Sequence, residues 1–413
     1  MDIVMAASGA LFFVLFAFLM FVFIVYLASL FIRRNFPAFE PLISVVVPAF
    51  NEEKNIAACI DSVFASNYPL DMLEVIVVDD GSTDSTIKIA ESYSSVRCVS
   101  APHSGKAVAL TVGAKAARHE FLLTIDADTV LEKECIRNLI KPLSEQSIGA
   151  VTGMCRVKNR SSILGMFQNI EYHYNNLIKN SFSVVFNNGI WFFGALACYR
   201  KSAIAKVGYF KPDTLAEDMD IVLELKKEGF KTYSVKDAVS DTIVPDTLMG
   251  FYRQRSRWWL GTLQALIRNK ELFSFKSSPS VIFLYINQFW WSFYSFVSLP
   301  IIIYQVFYWL PFNSESIASI FSYLFRWFSL AGPAYVVYKI PQWGISYYSF
   351  FGVMGGLISA FMILASIRLF KDKLRLGNAF ALFFYFPYTI VLNLVTFISL
   401  LRFKSTRARF FIK

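Results

Sequence analysis

The stretch Phe121-Leu-Leu-Thr-Ile-Asp-Ala-Asp128 decides how this chain is read. Its apolar run has the length and composition of a buried strand, and it ends in two carboxylates one residue apart. Side chains alternate along a strand, so Asp126 and Asp128 share a face and can address one cation. Paired acid at the carboxyl end of a strand suggests a metal-bound phosphate site. A lone Asp-x-Asp is also the composition of a solvated turn, so its meaning depends on what else converges on it.

Upstream, Ile43-Ser-Val-Val-Val-Pro-Ala-Phe-Asn-Glu-Glu53 reads as a buried strand turning at Pro48 into a helix that begins near Glu52, with acids in its first turn. Leu73-Glu-Val-Ile-Val-Val-Asp-Asp-Gly-Ser-Thr-Asp84 repeats that design. Asp79 is expected to hold its turn through backbone bonds. A short strand over Val96 to Ser100 follows, and Gly105-Lys106 opens an Ala-rich helix to Arg118. Strands alternating with helices predict an α/β fold with a doubly wound, mostly parallel sheet. Its ligand crevice lies beyond the strand carboxyl ends, faced by Asn51, Asp80, Lys106 and Asp128.

The chain has 413 residues, is 55% hydrophobic and contains 43 Phe, which is too apolar for an ordinary soluble enzyme. Residues 40 to 245 carry most of the acids, so a polar domain sits between membrane segments. Gly9 to Ile32 is apolar, ends at Arg33-Arg34 and exceeds the roughly 20 helical residues needed to cross a bilayer. No basic region precedes it and no small-residue cleavage site follows, which argues for an anchor over a cleaved signal peptide. The arginine pair places the next domain in the cytosol.

The net charge of +10 gathers beside apolar segments, where lipid headgroups account for it without nucleic acid. Five cysteines without C-x-x-C spacing fit a reducing compartment. His103, His119 and His173 show no metal-ligand spacing.

Beyond residue 280, Val281 to Leu310 and Ser346 to Ile367 are spanning candidates, and Ala379 to Leu401 is long enough to be a third. Arg326 interrupts Ile317 to Tyr338, which could equally lie along the interface. Basic clusters at Arg368 to Arg375 and Arg402 to Lys413 flank the third candidate, so both of its ends prefer the cytosol. Either Pro387 breaks it into a re-entrant pair or one cluster lies outside. The expected division is an anchor over 1–39, a catalytic domain over 40–245, interfacial helices over 246–279 and a membrane bundle with a basic tail over 280–413.

Six motifs stand in order: Val-Pro-Ala-Phe-Asn-Glu-Glu, Val-Asp-Asp-Gly-Ser-Thr-Asp, Gly-Lys-Ala-Val-Ala-Leu, Asp-Ala-Asp, Ala-Glu-Asp218 and Gln254-Arg-Ser-Arg-Trp258. In order and spacing they resemble the membrane-integrated family-two glycosyltransferases, and among these the processive cellulose, hyaluronan and poly-N-acetylglucosamine synthases. Gly149-Ala-Val-Thr-Gly153, Asn159-Arg-Ser-Ser-Ile-Leu-Gly165 and Val244-Pro-Asp-Thr-Leu248 look closest to the last two. The likeness covers residues 40 to about 275, and it implies a GT-A-type domain.

The motifs divide along the needs of a nucleotide-sugar donor. Phe50 can stack on a base and Asp80 can accept from a uracil imide. The resemblance assigns Asp80 to the base, Glu52 to the ribose side, and Pro48, Ala49 and Ala127 to the donor cleft. Lys106 at a helix start suits an anionic donor. Asp128 is the expected ligand for Mg²⁺ or Mn²⁺, with Asp126 supporting the metal or binding the ribose. The resemblance makes Asp218 the general base, although Ala216 stands where the family usually has Thr, which removes a hydroxyl. Glu217 and Asp218 also complement the start of an acidic helix through Gly229.

Asn188-Gly-Ile-Trp-Phe-Phe-Gly-Ala195 is Gly-punctuated and aromatic, the composition of a sugar-facing loop. Phe193 and Gly194, with Glu217, are the candidate acceptor pocket. Phe251 to Gly261 joins basic and aromatic residues on a membrane-surface helix. The resemblance adds that Gln254, Arg257 and Trp258 reach the site, Arg257 near the diphosphate and Trp258 under the acceptor sugar.

The expected activity is inverting transfer from a UDP-sugar, such as UDP-GlcNAc, to a growing β-linked polysaccharide exported across the plasma membrane. Asn287, Gln288, Trp290 and Trp291 are candidates to line the path. A single addition to a lipid-linked acceptor is the alternative. Sugar, linkage and any accessory membrane subunit stay open.

Overall fold

The apolar runs form the expected strands, β1 (Ile43–Ala49), β2 (Leu73–Asp79), β3 (Val96–Ser100) and β4 (Phe121–Ile125). They are followed by β5 (Val130–Leu131), β6 (Ile148–Val157), β7 (Leu196–Arg200) and β8 (Lys231–Thr242). The computed structural model describes residues 2–309, 317–370, 372 and 375–403. Its eight strands make one sheet in the order β3-β2-β1-β4-β7-β6-β8-β5.

The pairs β1–β2, β1–β4, β2–β3 and β6–β8 are parallel. β7 runs antiparallel to both β4 and β6, and β5 is antiparallel to β8. The sheet is therefore parallel through β4 and mixed beyond it. Val45, Val47 and Leu123 face one core layer, whereas Val46, Ile76 and Leu122 face the other. Both faces are covered, so these strands read as unbroken apolar runs. Each such side chain contributes about 1.5–3 kcal/mol on full burial.

The reversal at β7 positions the site. Leu196 opposes Ile125, so the segment entering β7 arrives at the edge where β4 ends. The Asp126 amide accordingly donates to the Ala195 carbonyl at 3.3 Å. β8 ends at the same edge, where the Thr242 hydroxyl donates to Asp128 Oδ1 at 3.3 Å.

One boundary differs from expectation. The helix after β1 spans Ile56–Phe64, so Glu52 and Glu53 precede it. Asn51 adopts left-handed backbone (φ 55°), and the Glu52 amide donates to Thr86 Oγ1 at 2.7 Å. Those contacts tie the segment to the turn after β2 and delay the helix.

Two described helices are long and apolar enough to cross a membrane, Gly9–Phe31 and Ser349–Leu369. Both pack on the helix Ile163–Phe186, where Val22, Val25 and Met362 meet Leu177 and Phe182. Pro279–Trp309 forms one helix, and its described residues, Asn287 and Gln288 among them, are less apolar than that pair. Leu310 lies outside the described residues.

The 317–338 region is two short helices, Ile317–Trp327 and Ala331–Trp343. Arg326 is stabilised there by the Tyr335 ring at 4.5 Å and by Ser322 Oγ at 2.6 Å. The last candidate splits into Leu376–Phe383 and Tyr385–Leu401, bent by 65°. Most of the 402–413 cluster and part of the 368–375 cluster fall outside the described residues.

Candidate active site

The helix Lys106–Ala116 starts at Gly105, whose φ of 91° is a region that favours glycine. Lys106 Nζ lies 2.5 Å from Asp126 Oδ1 and 3.4 Å from Glu217 Oε1. Burial alone would lower this ammonium, but the facing Asp126 and Glu217 charges outweigh it and hold the group well above the usual lysine range. Three segments distant in sequence thus meet in one ion cluster.

Asp128 Oδ1 accepts from the hydroxyls of Thr129 at 3.2 Å and Thr242 at 3.3 Å. Burial, together with the Asp126 and Glu52 charges, pushes its carboxyl up to about 6. Among the described residues, no three or more His, Cys, Asp or Glu side chains form a ready metal-ligand set. The tip offers a cation two adjacent carboxylates, with its other ligands left to come from elsewhere.

Asp218 stands in the first turn of the helix Glu217–Lys227. Its Oδ2 accepts the Gly194 amide at 2.8 Å and its Oδ1 accepts the Met219 amide at 2.8 Å. Burial and the neighbouring Glu217 push this carboxyl up to about 6, against Lys106 and the two amides. A carboxylate held near neutral proton affinity in a crevice is suited to accept a proton at physiological pH.

Gly194 has no room for a side chain, because a β-carbon there would lie 2.9 Å from Asp218 Cβ. Thr152 Oγ1 donates to the Phe193 carbonyl at 3.0 Å and fixes the same loop.

At the other end of the cleft, Phe50 is 43% exposed and its ring lies 4.5 Å from that of His103. Asp80 accepts the Ser104 amide at 3.1 Å and the Gly105 amide at 2.9 Å, so its carboxylate shapes the loop leading to Lys106. Asp79 accepts the Ser82 amide at 3.0 Å, holding its turn. Pro48 and Ala49 form the β1 tip beside Val78 and Asp79, and Ala127 is buried between the two site acids. Glu52 Oε2 accepts from Asn55 at 2.8 Å.

The helix Leu248–Arg268 carries Gln254 to Trp258. Trp258 packs on the same core layer as Ala195, and the buried Arg255 guanidinium lies 4.6 Å from its ring. Arg255 pairs with Glu171 at 2.8 Å, and the Tyr388 hydroxyl donates to the other Glu171 oxygen. Among the described residues, Gln254 and Arg257 make no hydrogen bond or ion pair with the acidic cluster, and the buried Gln254 Oε1 has no hydrogen-bond partner.

His103, Thr242, Glu171, Arg255 and Lys179 were not assigned a role from sequence. Arg255 stands inside the Gln254 to Trp258 motif, where a basic side chain among aromatic residues is a signal the sequence does carry. The others carry no local signal, since distant segments supply their partners.

The family described as glycosyltransferase-like family 2 matches residues 40–261, which include every strand above and the Gln254 to Trp258 motif. The chain belongs to this family. Within it, similar curated proteins are the poly-beta-1,6-N-acetyl-D-glucosamine synthases of Staphylococcus aureus, 32% identical, and Staphylococcus epidermidis, 33% identical. Each match runs over 234 residues, 55% of this chain and 56% of the relative. The chain thus spans about half the length of the curated relatives it matches.

In fold, this family-two glycosyltransferase resembles a mannosyltransferase from Pyrobaculum calidifontis, solved with GDP-Man and Mn2+. The TM-score is 0.60 at 19% identity, over 97% of each chain. The mixed sheet is a GT-A-like fold with apolar helices before and after it, and the protein is membrane-anchored.

Proposed function

We propose that the protein transfers a sugar from a UDP-sugar, UDP-GlcNAc or one like it, to the end of a β-linked polysaccharide, with inversion and coupled export. One observation carries this reading: Lys106, Asp126, Glu217, Asp218 and Gly194 meet at a single sheet edge. The relatives described as poly-N-acetylglucosamine synthases support the sugar and product class.

In this reading Phe50 and Asp80 border the base end of the cleft, Pro48, Ala49, Glu52 and Ala127 border the nucleotide, and Lys106 faces the diphosphate. Asp128, with Asp126, would hold Mg²⁺ or Mn²⁺; the raised Asp128 carboxyl marks a buried concentration of like charge that such an ion relieves. The bound ion would stabilise the leaving diphosphate as its charge develops.

Asp218 takes the proton from the acceptor hydroxyl. The hydroxyl oxygen then bonds to the anomeric carbon while the bond to the diphosphate breaks and UDP leaves. One displacement inverts the centre, so an α-linked donor yields a β-linked product. Phe193, Gly194, Glu217 and Trp258 border the acceptor, and Gln254 and Arg257 close the motif helix over the donor. The division at 1–39, 40–245, 246–279 and 280–413 assigns anchor, catalysis, interface and export, with Asn287, Gln288, Trp290 and Trp291 along the path.

Reconstitution in vesicles tests this. UDP release is expected with UDP-GlcNAc above UDP-Glc and UDP-GlcA, together with long polymer. Products of one added sugar overturn processivity, and radiolabel extractable into organic solvent identifies a lipid acceptor.

A further inference from the structure

Lys179 is fully buried on the helix Ile163–Phe186 and has no ion-pair partner among the described residues. Its Nζ donates to the Gly153 carbonyl at 3.2 Å and lies 3.5 Å from the centroid of the Phe193 ring. An enclosed ammonium without a counter-charge is costly to keep. This one is directed at the underside of the loop that carries the proposed acceptor pocket.

The neighbour of Phe193 is Gly194, whose amide reaches Asp218 at 2.8 Å. A glycine has no side chain with which to anchor a loop, so residue 194 is placed by its own amide and by its two neighbours, Ala195, whose carbonyl accepts the Asp126 amide, and Phe193. Thr152 holds the Phe193 backbone, and Lys179 is the charged group against its ring.

We propose that Lys179 is a positioning residue that holds the Phe193 ring and, through Gly194, keeps the Asp218 carboxylate aimed at the acceptor hydroxyl. It rests on the reading of Asp218 as general base.

The groups whose fields reach Lys179 are the Cys155 thiol of β6 and Asp218. Burial, the largest effect, pushes it down to about 7; Asp218 favours the charged form, and Cys155 would do so only as a thiolate, which its own burial disfavours. The attraction to the ring exists only for the ammonium. The loop is therefore held firmly below that pH and loosens as the lysine loses its proton above it.

The test uses the full chain in lipid nanodiscs, with hydrogen exchange of residues 188–195 and UDP release from UDP-GlcNAc followed against pH. Lys179→Met is expected to speed exchange of that segment and lower kcat, each about tenfold, with the donor KM within about twofold. Lys179→Arg, which stays charged, should restore loop protection and keep activity to higher pH.

Phe193→Leu leaves the lysine in place and should erase the alkaline limb of the pH profile, with no further loss when combined with Lys179→Met. Unchanged loop exchange in Lys179→Met overturns the proposal, as does an alkaline limb that persists in Phe193→Leu. The exchange measurement needs no donor, so failure of the wild type to release UDP counts against the transfer reading alone.

Discussion

The Gly194 amide donates to Asp218 Oδ2 at 2.8 Å, and the glycine backbone sits so near the aspartate that an added β-carbon would be 3.0 Å from that same oxygen. The loop and the carboxylate are fitted to one another. Gly194→Ala should therefore push Asp218 off its seat, lowering kcat by about 10²-fold while UDP-sugar binding is kept. Parallel titration of donor binding and UDP release checks this; equal loss of both would place the damage at the donor instead.

Asp218 is held near 6 by burial and by Glu217, so its basic form is lost as pH falls through that value. Turnover should drop below about pH 6 and level off above it until the lysine effect sets in. Asp218→Asn should bind donor and transfer about 10²- to 10⁴-fold more slowly. A wild-type acid limb near pH 4 would exclude Asp218 as the titrating base.

In the proposed reading Asp128 and Lys106 act on the donor. Asp128→Asn should lose metal-dependent donor binding, and chelation of divalent ions should abolish UDP release in the wild type. Lys106→Met should weaken donor binding and leave Asp126 without its 2.5 Å partner. Calorimetry with UDP, with and without Mn²⁺, separates the two effects.

Asp372 connects the membrane helices to the catalytic domain. Both of its oxygens accept from Arg160 at 2.7 Å, and it lies 2.9 Å from His173 Nε2. These donors hold its carboxyl well below the usual range, although burial pushes the other way. Asp372→Asn should cost about 1–3 kcal/mol, because it removes the negative charge facing the half-buried Arg160 and the buried His173 and leaves one acceptor oxygen where two stand. Thermal unfolding in detergent reports that loss at neutral pH, and the difference from wild type should shrink as acid protonates Asp372.

The same clasp bears on topology. Asp372 touches Arg160 before the bent helix pair, and Ser399 near its end bonds Ser256 at 2.6 Å. Both ends of the pair are tied to elements of the catalytic side. Cysteines introduced at Arg375 and Arg402 should resist a membrane-impermeant reagent applied to the opposite side. Labelling of either from that side would show that the pair crosses the membrane.

The edge that carries Asp80 and Asp128 could be read from β1, β2 and β4, because period-two burial and strand length are local properties. The anchor over Gly9–Phe31 was legible for the same reason: length and apolarity suffice. The antiparallel β7 was not legible, since strand direction is set by how the chain returns to the sheet. The helix start at Ile56 was displaced by hydrogen bonds to a turn some thirty residues away.

What the sequence by itself determined was which residues are candidates for the chemistry: the acids at strand tips, Lys106 at a helix start, Asp218 and the Gln254 to Trp258 motif. Only the tertiary structure decided their electrical state and their supports. Lys106 is bound by acids just after β4 and on a later helix, Asp128 is crowded by Glu52 and Asp126, and Lys179 is sealed beneath Phe193 with no carboxylate paired to it among the described residues. A side chain's charge depends on burial and on neighbours within a few ångströms. In this fold those neighbours come from segments far apart in the chain, and local pattern does not encode them.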